Sequence, residues 1–159
     1  MKKLLIILTV TTFIACNKSN DIVDGFNIYS GMEFSIFNAN NEDLLNPENP
    51  NHINTESIRL FYDINGEKGN MYNGDSSNPR NISIYKHENE YRIRIGLNHT
   101  DKSDKPITYI QWNESEIDTV EVVYKRTRYG VEQNIIWLNG EQVWEIGDNT
   151  KVPYVKLIK

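Results

Sequence analysis

The sequence predicts an all-β domain, an antiparallel β-sandwich of about nine short strands, and three observations predict it. After the first 15 residues the chain carries 17 Ile and 8 Val against 6 Leu and a single Ala, Ala39, and it adds 16 aromatic residues. Branched and aromatic side chains suit a pleated, half-buried surface, whereas Ala and Leu are the strong helix formers. The same span holds 21 Asn, mostly between apolar runs, where Asn favours turns and tolerates positive φ. Finally, apolar and polar residues alternate in runs that recur at intervals of roughly ten residues.

Taken in order, the first run is 32–37, with Phe34, Ile36 and Phe37, and the second is 58–64, where Ile58, Leu60, Tyr62 and Ile64 alternate with Arg59, Phe61 and Asp63. Ile82 and Ile84 flank Ser83. Tyr91, Ile93, Ile95 and Leu97 alternate with Arg92, Arg94, Gly96 and Asn98, the cleanest alternation in the chain. Runs at 107–112, 120–124, 135–138, 143–146 and 154–158 complete the set. Asn139-Gly140 between two of them is the preferred dipeptide of a type I′ hairpin turn. A two-residue turn there would pair Leu138 with Glu141, Trp137 with Gln142, Ile136 with Val143 and Ile135 with Trp144. One face would then carry Ile135, Trp137, Trp144 and Ile146, the better core. The other would carry Ile136, Leu138 and Val143, either covered by another segment or exposed as a partner surface.

The amino-terminal end is of a different kind. Lys2 and Lys3 precede a charge-free run at 4–15. Twelve helical residues would span ~18 Å, well short of the ~30 Å hydrocarbon core, so the run suits a cleaved signal better than a membrane-spanning helix. The only cysteine, Cys16, follows directly after Phe13-Ile14-Ala15. This stretch resembles the lipobox of bacterial lipoproteins, and the resemblance implies acylation of Cys16 and loss of 1–15. The alternative is an odd, free or intermolecular cysteine. Acyl chains at ~0.8 kcal/mol per buried CH₂ would hold the protein on a membrane. Residues 16–31 show no dominant period and read as a tether, leaving 32–159 as one domain.

Composition also bears on partners. The chain carries a formal charge of −5, and without Lys2 and Lys3 it has 15 Lys and Arg against 22 Asp and Glu. No basic stretch is present, so nucleic acid is not an expected partner. A calcium reading attaches to the long amide-rich loop at 38–51, where Asn38, Asn40, Glu42 and Asp43 offer oxygen ligands. As an EF-hand it fails, because Asp43 stands where Gly is required and Asn49 where Glu is required. No His-Glu-x-x-His pair, Gly-x-Ser-x-Gly elbow or glycine-rich phosphate loop occurs, and the expectation is a protein that is not an enzyme and needs no cofactor.

Asp118-Thr119-Val120 is similar to the O-glycosylation motif of exported Bacteroidetes proteins, with Thr119 as acceptor; the alternative is a Thr opening a strand. The lipobox signal and the Ile-, Asn- and Tyr-rich β domain together look like small lipoproteins of Bacteroidetes. That resemblance implies a lipid-anchored envelope protein, in the outer membrane, and the expectation for its domain is the binding of a glycan, a peptide or another envelope protein, since aromatic platforms with nearby amides suit sugar rings. Trp112 and Tyr129, whose faces alternation leaves open, are the candidate ligand contacts. Ile136, Leu138 and Val143 are the candidate partner surface. The alternatives are a structural or assembly subunit of an envelope complex and a metal-dependent hydrolase.

Overall fold

The computed structural model describes residues 25–148 and 152–159, so the signal region, Cys16 and the first part of the tether lie outside the described residues. The chain forms eleven strands in two packed sheets, an all-β, sandwich-like fold. They are β1 Asn27–Tyr29, β2 Gly31–Phe37, β3 Arg59–Ile64, β4 Glu67–Asn70, β5 Ile82–His87, β6 Glu90–Gly96, β7 Ile107–Gln111, β8 Ile117–Thr127, β9 Gly130–Leu138, β10 Glu141–Glu145 and β11 Tyr154–Ile158. The larger sheet runs β1-β9-β8-β7-β3-β4, with β10 also paired to β9, and the smaller runs β11-β2-β6-β5.

The alternation sorts side chains as expected along most of the chain. Ile93 and Ile95 of β6, Leu60 of β3 and Val120 and Val122 of β8 are buried together with Met32, Phe34 and Ile36 of β2. On β2 every residue is buried: Met32, Phe34 and Ile36 join the core, and on the other face Glu33 meets the Arg92 guanidinium and Ser35 the Tyr154 hydroxyl. Among the described residues no helix is long and apolar enough to cross a membrane.

Three expectations need correction. The sheets are not wholly antiparallel: β1 lies parallel to β9 and β11 parallel to β2. Both strands reach their edge from a distance, without a hairpin to impose direction, so either sense is open to them. The ordered domain also begins before residue 32, since β1 lies within the expected tether.

The third correction concerns the hairpin. Asn139 and Gly140 have φ of 52° and 86°, the two positive values a type I′ turn requires. However, the register shifts between Gln142 and Trp144, so Trp144 pairs with Ile136 and Glu145 with Ile135. Val143 is the extra residue of a bulge. Ile136 and Leu138 lie in the core, where they pair across with Val122 and Val120. Trp144 joins them, while Ile146 is left exposed and Trp137 turns to the outer face beneath the Lys105 ammonium, 4.2 Å from its ring centre. The partner surface expected at Ile136, Leu138 and Val143 is thus largely interior: the first two are buried and Val143 packs half-buried against the core. The face of β9 is set by its long pairing with β8, which reading the hairpin alone leaves out.

Candidate functional site

The expected site residues scatter. Trp112 is 3% exposed, its ring edge-on to Phe34 at 5.7 Å, and its Nε1 donates to Asp118 Oδ2 at 2.6 Å. A ring so enclosed is not a ligand platform. Asp118 also accepts from Asn139 Nδ2 at 2.8 Å and from Lys159 Nζ at 3.3 Å. Burial works against the Asp118 carboxylate, but hydrogen bonds from Asn139 and Trp112 and the Lys159 ammonium outweigh it and hold its carboxyl below the ordinary aspartate range.

In the amide-rich loop, Asn38 Oδ1 accepts from the backbone of Asn40 and Glu42 at 2.9 and 3.0 Å, and Asn38 Nδ2 donates to Glu42 Oε2 at 2.6 Å. Asp43 accepts instead from the backbone of Leu45 and, across to β6, of Tyr91. The loop thus brings Asn38 and Glu42 together and engages Asp43 elsewhere. Among the described residues no group of three or more His, Cys, Asp or Glu side chains converges on one point. Thr119 is half-buried on β8, with its N–H donating to Asn139 Oδ1 at 2.8 Å.

Tyr129 is exposed at the β8–β9 turn, with the Arg128 guanidinium stacked 4.4 Å from its ring centre. It belongs to a wider feature. Ten large apolar side chains are exposed among the described residues, and six of them, Phe26, Ile28, Tyr29, Tyr129, Ile146 and Val152, gather about β1 and the clefts beside it. An apolar cluster held out in water on one part of a domain calls for something to cover it.

The cluster surrounds a gap in one sheet edge. Strand β1 covers β9 at Gly130 to Glu132 and β10 covers it from Ile135 onward, with the Ile146 N–H donating to Asn134 O at 2.8 Å, so that Gln133 stands between the two. The close approach of β1 requires Gly130, since a Cβ there would meet Asn27 O at 2.2 Å. Gln133 turns inward and donates from Nε2 to Gly31 O at 2.8 Å, joining the two sheets at the floor of the gap. Above it opens a cleft of about 390 Å³. Its apolar walls are Tyr29, Trp144, Ile146, Val152 and Pro153; its polar groups are Arg94, Glu132, Gln133 and Asp148. A shallower groove, shared through Tyr29 and Glu132, continues to Tyr129 and Lys125.

Among the described residues that line this cleft, Arg94 is the cation. Its neighbour on the same face, Arg92, is fully occupied: it bonds Glu90 at 2.7 Å and Glu33 at 3.3 Å and lies over the Tyr154 ring at 4.1 Å. Glu33 is thereby neutralised within the sheet. Burial, reinforced by hydrogen bonding to the Glu33 carboxylate and by its charge, pushes the Tyr85 phenol up to about 12. Arg94 stands 3.9 Å from Glu33 and is half-exposed, with its guanidinium lying over Gly31.

Apart from Tyr129, which borders the shallower groove, sequence reasoning missed this site. Its signals were present but weak: Phe26 and Ile28 alternate with Asn27 inside the supposed tether, and Tyr129-Gly130 marks a tight approach.

Fold and cleft together define an all-β domain with an aromatic-walled, cation-bearing cleft at a broken sheet edge. Comparison with models of protein families, with curated proteins and with solved structures finds no match to this chain.

Proposed function

We propose that the protein is a lipid-anchored bacterial envelope lipoprotein whose domain is a binding module, with the cleft at the broken edge of β9 as its ligand site and a glycan as its ligand. The observation that carries this reading is that three of the exposed apolar side chains, Tyr29, Ile146 and Val152, line that one cleft. Tyr29 and Ile146 provide an apolar platform for a sugar ring face, while Arg94, Gln133, Glu132 and Asp148 supply partners for its hydroxyls. Cys16 supports the anchor, nine residues ahead of Gly25.

Titrating the protein with a panel of oligosaccharides, followed by tryptophan fluorescence, tests the reading, since Trp144 lines the cleft. A saturable change is expected, weakened at least about tenfold in Tyr29→Ala, as loss of an aromatic platform implies. No response to any saccharide, or a response indifferent to Tyr29→Ala, contradicts it. For the anchor, Cys16→Ser should abolish acyl labelling and release the protein from the membrane fraction.

An assembly role is the second reading, favoured by Phe26, which is 60% exposed. A crosslinked envelope partner lost in Phe26→Asp, with no saccharide response, would establish it instead.

A further inference from the structure

We propose that the cleft selects an acidic sugar, a uronic acid residue within a glycan, and that Arg94 holds its carboxylate. This rests on the cleft being the ligand site and adds the chemistry of the ligand.

The first argument is that the place of Arg94 is built. Gly31 is not in the left-handed region, so its backbone does not call for glycine, yet a Cβ there would stand 2.7 Å from Arg94 Nε and 2.9 Å from Arg94 Nη2. Any larger residue would displace the guanidinium from this position. The second is that this guanidinium is not required by its neighbours. Arg92 already meets Glu33 at 3.3 Å, and Arg94 keeps only the looser 3.9 Å approach. A planar fork of donors left half-exposed beside an apolar wall matches a carboxylate bidentately.

The third argument separates a unit within a chain from a free terminal carboxylate. Arg94 and Gly31 border two adjoining spaces, the 390 Å³ cleft and a pocket of about 150 Å³ lined by Asn78, Asn81 and Ser83. A carboxylate on Arg94 would therefore have a subsite on either side, as a unit within a chain has and a terminal carboxylate has not. Glu132 and Asp148 suit hydroxyl donors and repel a second anion, so charge is tolerated at one point only.

Calorimetric titration of the protein with a neutral oligosaccharide that carries one internal glucuronate, with its methyl ester and with a peptide bearing a free carboxyl terminus tests this. The acid is expected to bind at least about tenfold more tightly than the ester, the share of a charged hydrogen-bonded pair. In Arg94→Gln that preference should vanish at unchanged melting temperature, and Gly31→Ala should reduce it. Equal binding of acid and ester by the wild type, which needs no variant to fold, overturns the acidic-sugar proposal and leaves the glycan reading standing. Binding of the peptide, lost on amidation of its terminus, overturns it in favour of a peptide. No binding to these or any neutral saccharide overturns the glycan reading itself.

Discussion

The two ends of β9 meet their surroundings in opposite ways. At the Leu138 end, Trp112, Asn139 and Lys159 converge on Asp118, and Phe34 closes over the indole. At the Gly130 end, the ladder is broken, Tyr29 is 58% exposed and Arg94 is half-bare. Both ends carry a tryptophan and charged groups, so composition does not separate them. What separates them is enclosure: at the closed end the charged groups pair with one another beside the buried indole, whereas at the open end Arg94 keeps only a 3.9 Å approach to Glu33 and stands half in solvent.

The comparison is broken most strongly by Asp118→Ala. It strips the acceptor from a buried indole N–H, an amide and an ammonium, so urea unfolding should show a loss of about 3 kcal/mol. Binding at the far cleft should stay unchanged at temperatures where the variant is folded. Arg94→Gln is the mirror experiment: ligand affinity falls, and stability changes by less than about 0.5 kcal/mol, as for an exposed charge.

Acid tests the same contrast. Because the Asp118 carboxyl lies below the ordinary aspartate range, its contribution is complete above the unfolded-state value of ~3.9 and is lost as pH falls through its lower folded value. The melting temperature should therefore drop on acidification below about pH 4, and Asp118→Asn should flatten that drop. An unaltered profile in the variant would place the acid sensitivity elsewhere.

The smallest effect is expected at Tyr124, between the two ends. Its hydroxyl is buried without a hydrogen-bond partner among the described residues, and burial pushes the phenol up. Tyr124→Phe should leave the protein as stable or raise unfolding free energy by up to about 1 kcal/mol. A clear loss would show that the hydroxyl has a partner in solution.

How much of this could be read from the chain follows the same division. Strands β6 and β8 were legible because each buries one face, and the Asn139-Gly140 turn because its φ values admit few residues. Asn65-Gly66 makes the same turn, at φ of 55° and 85°, but β4 beyond it reads Glu-Lys-Gly-Asn, an exposed edge with no apolar residue to mark it. The bulge at Val143 reverses which face Trp144 joins, and one inserted residue leaves no periodic trace. Trp112 and Asp118 are six residues apart, too far for a local rule to pair them. The cleft was least legible, because it draws on β1, β6, β9, the end of β10 and the start of β11, which only the tertiary fold brings together.

The central claim is that the open end binds and the closed end does not. The three tryptophans provide separate indole N–H signals for NMR, and Trp144 lines the cleft while Trp112 is locked to Asp118. On titration with the oligosaccharide that carries one internal glucuronate, the Trp144 indole and the amides of Tyr29, Arg94 and Gln133 should shift together while the Trp112 indole stays in place. Shifts centred on Trp112, or on the loop of Asn38 and Glu42 with the cleft silent, would contradict the claim.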